Sequence, residues 1–341
     1  MDIIIRNYQK TIEEILVGID KDSFFTNWQE NEAWEVSFTT SRNERNSYTF
    51  DLIDYEGSVI LDGEEYVIKE LKSYAVGRQV YKDVAATHVY YTIQDGYQYD
   101  TLTGTLSINQ CLAHIFKNDT RGFSYEVINT NGIISRVEQE NFGNGDYLNL
   151  INEVLKDYDV VVLPTNRHLR FYPRSYYGHD TQKQIRFKHN TDEVHFNIDT
   201  FALKTQIKGF GKKKEESAGG GYYFSPITYT SPKSSQWGVR IQNPVEDDRY
   251  TIASNMTARL KKDLHDYPDI SGTVTLKWAI DVSPGDRVTF VYEPLNISEI
   301  IQIVGIKQYP MIPNKPPEVA LSNTKKTMTS ILAQLAKRGV K

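Results

Sequence analysis

The side chains best suited to chemistry in this chain are few and scattered. Its only cysteine is Cys111, and its seven histidines are His88, His114, His168, His179, His189, His195 and His265. Cys111 and His114 stand three apart, which on a helix puts them on neighbouring parts of one face. A cysteine nucleophile needs a depressed pKa and a base within hydrogen-bond reach. Cys111 instead stands beside Leu112 and Ile115 on the apolar side, so it reads as a core cysteine. His189 and His195 bracket Asp192 and Glu193 and have the residue types of a metal site. The alternation around them points to a strand and its approach, hence to surface residues. No His-Glu-x-x-His pair occurs to put two zinc ligands and a base on one helix.

Other constellations are equally bland. Glu13-Glu14, Glu64-Glu65 and Asp247-Asp248 are adjacent acids, whereas a glycosidase needs two acids about 5–9 Å apart across a cleft. Adjacent acids are read as solvated. Gly219-Gly220-Gly221 lacks the strand-to-helix context of a phosphate cradle and reads as a flexible linker. Neither a Gly-x-Ser-x-Gly elbow nor a Walker-type loop is present. The reading therefore assigns no catalytic, cofactor-binding or metal residue, expects no cofactor, and expects no enzyme.

Composition narrows the remaining classes. At 341 residues the chain is long enough for two or three domains. Lys plus Arg total 39 and Asp plus Glu 44, a net charge of −5, which argues against a protein that grips nucleic acid through counterion release. One cysteine excludes an internal disulfide and a thiolate zinc site. No apolar run approaches the roughly 20 residues of a membrane span, and MDIIIRNYQK lacks the features of a signal peptide. The expectation is a chain made in the cytoplasm, without membrane insertion. In that setting the Asn-x-Ser/Thr triplets at Asn118, Asn255 and Asn296 carry no glycosylation argument. Aromatic residues make up 12%, many in alternating β-branched stretches, which tilts the fold towards β.

The elements that would position these residues follow from periodicity. Residues 1–95 read as strands: Trp34, Val36 and Phe38 alternate, and Tyr48, Phe50 and Leu52 repeat the pattern. Asp62-Gly63 between Val59-Ile60-Leu61 and Tyr66-Val67-Ile68 predicts a hairpin, because the turn needs positive φ. Further strands are expected over Val80–Val84 and His88–Ile93, with a weak helical stretch over Lys10–Ile15. So many short strands suggest a small closed barrel or sandwich.

Residues 96–189 switch period and predict an α/β insertion. Ser107 and Gln110 form a capping box, and Ile108, Leu112, Ile115 and Phe116 share a helical face. Asp146 caps a second helix whose stripe is Tyr147, Ile151, Val154, Leu155 and Tyr158. The apolar run Val160–Leu163 and its hairpin partner Leu169–Tyr172 follow.

Strands resume over 190–211, with Val194, Phe196 and Ile198 alternating and Leu203, Gln206 and Ile207 leading to Gly209-Phe210-Gly211. Such a short piece is marginal alone, so it is expected to close onto strands after Ser271. Residues 212–271 are then a second insertion with one helix, Thr251 to about His265, ended by Pro268. Val274, Leu276, Trp278, Ile280 and Val282 alternate strictly, Ser283-Pro284-Gly285-Asp286 predicts a turn, and strands follow to residue 322. Residues 323–341 predict a terminal helix with Met328, Ile331, Leu332, Leu335 and Ala336 on one stripe. Lys337, Arg338 and Lys341 suit its dipole.

Four stretches in this order resemble the tail-hub proteins of siphophages and prophages of Gram-positive bacteria, the prophage endopeptidase tail family. They are Asn141-Phe142-Gly143-Asn144-Gly145-Asp146-Tyr147 with its helix, Ile198 to Gly211, the helix up to Pro268 followed by Val282-Ser283-Pro284-Gly285-Asp286-Arg287-Val288, and Ala320-Leu321-Ser322-Asn323. The resemblance implies a non-enzymatic scaffold similar to the contractile-phage baseplate hub. Its fold would be mainly β: two related antiparallel β-barrels, the first over 1–95 and the second over 190–211 and 272–322, each with an inserted domain. Three chains would form a ring of pseudo-sixfold symmetry in the virion tail tip. That homotrimer would join the distal tail protein hexamer and tail tube to a downstream tail-tip or lysin module, and DNA would pass without specific binding. The acidic balance suits such a passage. The peptidase in the family name belongs to longer members and is not carried over here.

Two alternatives come from other classes. A peptidoglycan endopeptidase would have to use Cys111 and His114. A wall-carbohydrate adhesin would use exposed rings among Tyr90-Tyr91, Tyr97, Tyr99, Tyr176-Tyr177 and Tyr222-Tyr223, although tyrosines in β segments serve more often in sheet packing.

Overall fold

A computed structural model describes residues 2–31, 33–129, 132–215, 220–278, 282–295 and 297–322. The expected terminal helix over 323–341 lies outside the described residues. The chain divides into two compact units, one made of Met1–Val194 and Thr273–Leu321, the other centred on His195–Gly272.

In the first unit, alternation produces β1 (Ile3–Arg6), β2 (Glu13–Ile15), β3 (Phe25–Gln29) and β4 (Ala33–Ser41), then a short helix α1 (Ser47–Leu52), then β5 (Ser58–Leu61), β6 (Glu64–Val76) and β7 (Gln79–His88). Their inward side chains, among them Ile3, Ile5, Phe24, Val36, Phe38, Val59, Ile68 and Val84, make one core. The Asp62-Gly63 hairpin forms as expected, with both residues at positive φ (49° and 85°). A bridge from Ile19 to Thr40 brings the chain after β2 back to β4.

Three local expectations are corrected. Tyr48, Phe50 and Leu52 lie on α1, where the Phe50 amide bonds the Asn46 carbonyl. Three apolar residues are too few to separate a strand from one helical turn. Lys10–Ile15 is a turn and β2, because the Asn7 side chain accepts from the Thr11 and Ile12 amides and Lys10 takes positive φ. His88–Ile93 ends β7 and enters a 3-10 helix over Val89–Asp95, whose first turn is capped by the His88 ring.

The α/β insertion contains β8 (Tyr97–Leu106), α2 (Ile108–Ile115), β9 (Ser124–Val127), β10 (Val137–Asp146), α3 (Tyr147–Asp157), β11 (Val160–Thr165) and β12 (His168–Pro173). The Ser107–Gln110 capping box and the Asp146 cap are both present. β11 and β12 pair as the expected hairpin. Helices α2 and α3 bury Ile108, Cys111, Leu112, Leu150, Ile151 and Val154 against Leu169 and Phe171 of the sheet.

β13 (Asp180–Arg186) and β14 (Thr191–Asp199) follow, and the chain returns through β18 (Asp269–Leu276), β19 (Arg287–Tyr292), β20 (Ile297–Gln308) and β21 (Glu318–Ser322). Between β14 and β18 lies the second unit: β15 (Gln206–Phe210), β16 (Ile227–Thr230), α4 (Ser234–Trp237), β17 (Val245–Glu246) and α5 (Ala253–Asp263). β15 pairs with β16 and β17, and Ile207 packs on Met256, Leu260 and Leu264. In the strand order β14 neighbours β18, whereas 206–210 pairs with β16 and β17 instead of the later strands. Ile207 finds its apolar partners on α5, inside the segment read as a separate insertion. The long alternating strand expected to Val282 stops at Leu276, and Ile280 lies outside the described residues.

The main sheet runs β14-β18-β21-β20-β3-β4-β7-β6-β5-β1-β2, with β19 on β20 and β13 on β19. Within it a pattern repeats. Before β5, the Gly57 amide bonds the Asp54 carbonyl, the Glu56 amide bonds Ile68, and the Ile68 amide bonds Gly57. Before β19, Asp286 bonds Ser283, Gly285 bonds Ile303, and Ile303 bonds Asp286. Ser58 faces Val67 on β6 as Arg287 faces Gln302 on β20. The two hairpins are thus superposed in register, Ile68 on Ile303 and Leu71 on Ile306. The likeness ends at the next strand, since β1 joins β5 antiparallel and β13 joins β19 parallel.

Candidate functional site

Cys111 and His114 share α2 but face different partners. The Cys111 thiol is buried 3.2 Å from the Tyr158 hydroxyl, and that hydroxyl donates to the Leu106 carbonyl. Burial pushes the thiol pKa up, which opposes formation of a thiolate. His114 Nε2 stands 2.9 Å from the Asp100 carbonyl and so donates to it. No dyad forms. The His189 ring meets Trp278 edge-on at 5.7 Å, and among the described residues no group of three His, Cys, Asp or Glu side chains could hold a metal. The acid pairs separate as well: Glu13 binds Arg6, and Asp247 binds Arg249.

The tyrosines also divide. Tyr90 and Tyr177 are buried, whereas Tyr97, Tyr99, Tyr176 and Tyr223 are exposed. Only Tyr97 and Tyr99 among these exposed rings pack together, with centroids 4.7 Å apart.

One pair that sequence reasoning set aside becomes part of an extended polar cluster. Glu64 and Glu65 open β6, directly after the Asp62-Gly63 turn, and meet Asn166-Arg167 in the β11–β12 turn. The Asn166 amide donates to Glu64 at 2.7 Å, and the Asn166 side chain accepts from the Glu65 amide at 2.7 Å while donating to the Gly63 carbonyl at 2.9 Å. Glu65 accepts from Ser58 at 2.8 Å and pairs with Lys10 and Arg167, both at 3.0 Å. Burial, the largest single influence, pushes the Glu65 carboxyl up. The Lys10 and Ser58 hydrogen bonds and the Arg167 and Lys10 charges outweigh it and hold the pKa down to about 2.

Glu64 also engages the fully buried His88. The Tyr90 amide donates to His88 Nδ1, so the proton sits on Nε2 and points at Glu64, 3.0 Å away. Trp34 stacks on the ring at 4.1 Å and fixes its plane. Burial raises the Glu64 pKa, but the His88 and Asn166 hydrogen bonds prevail and the net direction is down. Every partner named is a group of the chain itself. The cluster rivets the α/β insertion to the first β module rather than presenting a nucleophile or base to a substrate.

A second lock holds the exit of the insertion. Arg174 pairs with Glu30 at 2.8 Å, and the Asp286 carboxylate accepts from the His179 and Ser283 amides at 3.0 and 2.9 Å. Gly285 takes φ 83°, and a Cβ there would stand 2.4 Å from the Tyr177 ring. Sequence reasoning found the Ser283–Asp286 turn but missed what it grips. The only sequence signal for either lock is a polar turn residue, Asn166 or Asp286, adjoining an arginine.

Models of the prophage endopeptidase tail match three successive stretches: its N-terminal domain over 3–88, a further tail domain over 95–171, and the prophage endopeptidase tail itself over 179–332. The crystal structure of prophage tail protein gp18 from Listeria monocytogenes is similar at 51% identity and TM-score 0.83, with 99% of each chain covered. A 43 kDa tail protein of prophage MuSo2 from Shewanella oneidensis shares the fold at 13% identity and TM-score 0.62, covering 94% of this chain and 97% of that one. So does an Escherichia coli type VI secretion component described as similar to the T4 tail proteins gp27 and gp5, at 11% identity, TM-score 0.50, and 94% and 76% coverage. No curated protein sequence matches. With half its residues identical to gp18 over nearly the whole length, and three consecutive domain matches, this chain belongs to the prophage endopeptidase tail family of phage tail proteins.

Proposed function

We propose that this chain is a structural hub of a phage tail. Three copies form a ring of pseudo-sixfold symmetry that joins the tail tube and distal tail hexamer to the tip or a lysin module. The observation that carries this reading is the repeat inside the main sheet. β14-β18-β21-β20 is followed by β3-β4-β7-β6, and the two runs join through β20 and β3. Two such β modules per chain, tripled, give six similar units around an axis. The Ile19–Thr40 bridge supports a barrel for the first module, because it returns the strand after β2 to β4. In this reading the first module is 1–95 and the α/β insertion 96–189. The second module is the strands on either side of the second unit, up to residue 322.

The role needs no reaction centre, and the buried Cys111–Tyr158 contact gives an endopeptidase no activated thiol. The net charge of −5 suits a passage through which DNA moves without being held. The test is native mass spectrometry with electron microscopy of the protein alone and bound to its tail ring. The expected particle is a ring of about 118 kDa, three times the 39.3 kDa chain. Tails carrying a copy number other than three would overturn the reading.

A further inference from the structure

We infer that the α/β insertion binds an uncharged, hydroxyl-rich sugar chain, with Tyr97 and Tyr99 as its stacking platform and the cleft beside Asn144 as its polar wall. The inference goes beyond the ring reading and does not depend on copy number.

The platform comes from strand alternation. On β8, Gln98 turns inward and is buried, so its neighbours Tyr97 and Tyr99 point away from the core under α2 and α3. Core packing therefore leaves these rings on the surface: Tyr99 is 79% exposed and Tyr97 43%. Their centroids stand 4.7 Å apart, with the planes tilted by 46°. The Tyr97 hydroxyl donates to the Asn144 carbonyl at 3.0 Å, which ties that ring across the β8–β10 ribbon. A tyrosine has only two side-chain torsions, so a tethered pair offers apolar surface to a ligand at small entropic cost.

Asn144 also lines the neighbouring cleft, which joins the two halves of the site. This cleft, about 490 Å³, is bounded by the 143–145 turn on one side and by Asn149, Asn152, Glu153 and Lys156 of α3 on the other. The spacing of those four residues is that of one helical face, turned away from the buried stripe of α3. The turn keeps its shape because Gly143 takes φ 130° and a Cβ there would stand 2.1 Å from the Asp100 carbonyl oxygen. The Gly-Asn-Gly-Asp stretch thus presses β10 onto β8 and presents Asn144 to both the platform and the cleft.

The lining decides the class of ligand. Asn144, Asn149 and Asn152 each bring hydrogen-bond donors and an acceptor, while the charges of Glu153 and Lys156 cancel. A polyanion asks for surplus cations, a basic peptide for surplus acids, and an acyl chain for an apolar wall. This cleft supplies none of those. A sugar carries hydroxyls at its rim and C–H bonds on its ring faces, so the amides suit the rim and the tyrosines suit the faces. The volume lies within the range of small-molecule sites and has room for about two sugar rings.

Saturation-transfer NMR of the full chain tests this, with chitotriose and enzymatically solubilised Gram-positive wall polysaccharide as probes at up to about 10 mM sugar. The expected result is transfer to the sugar protons. Binding should weaken roughly tenfold or more in Tyr99→Ala, and likewise in Asn152→Trp, which fills the cleft and leaves the platform in place. Both positions are exposed, so neither change disturbs the core. Tyr176→Ala, which removes an exposed ring outside the site, should bind as the natural chain does. No transfer to either probe overturns the inference, and so does binding that survives both Tyr99→Ala and Asn152→Trp. Binding confined to phosphate-bearing wall polymer and abolished by salt overturns it as well, in favour of a polyanion. The ring reading stands or falls separately, on the copy number measured above.

Discussion

Replacing Glu65 by glutamine tests the rivet between the first β module and the α/β insertion. The carboxyl is held at about pKa 2 against an ordinary 4.5, a displacement of about 2.5 pH units, or about 3.4 kcal/mol. Lys10 is half-exposed, so solvent screening reduces its share, and about 2 kcal/mol is the working figure. The folded pKa lies below the unfolded one, so this stability is fully present above about pH 4.5. It disappears as pH falls towards 2. Glu65→Gln should cost about 2 kcal/mol at neutral pH, and its deficit against the natural chain should shrink as pH drops from 4.5. Urea unfolding across that range, with hydrogen exchange of the peptides carrying Glu65 and Asn166, measures it. A deficit that stays constant down to pH 3, or faster exchange spread evenly over the molecule, would refute the reasoning.

Three further outcomes follow from particular contacts. Gly285→Ala should lower stability by about 2–4 kcal/mol, because the turn needs positive φ and the added methyl meets the Tyr177 ring; thermal unfolding reads it. Ser107→Ala removes one half of a capping box and should cost about 1 kcal/mol in urea unfolding. Purified chain should leave Gram-positive wall turbidity unchanged, and Cys111→Ser with His114→Ala should behave the same. Wall clearing that the double variant abolishes would restore the endopeptidase reading.

Much was legible in the sequence because it was encoded locally. Asp62-Gly63 forms its hairpin since two consecutive positive φ angles suit those residues and few others. Ser107 with Gln110, and Asp146 with the Asn149 amide, cap α2 and α3 because capping needs only a side chain three residues from an amide. Weak periods failed: three alternating apolar residues at Tyr48–Leu52 fit one turn of α1 as well as a strand. The 206–210 strand was assigned to the wrong sheet, because alternation states that a face is buried but not which face covers it.

By itself, then, the sequence determined the β-rich character and the two helices of the insertion with their caps. Only the tertiary structure decided that Glu64 and Glu65 close on Asn166 and Arg167, about a hundred residues away, and that Cys111 meets a phenol instead of a base. It also decided that two four-strand runs repeat and join through β20 and β3. Hydrogen bonds within a turn or helix are set by neighbours in the chain, whereas pairing between distant strands depends on which surfaces remain uncovered once every local element has formed.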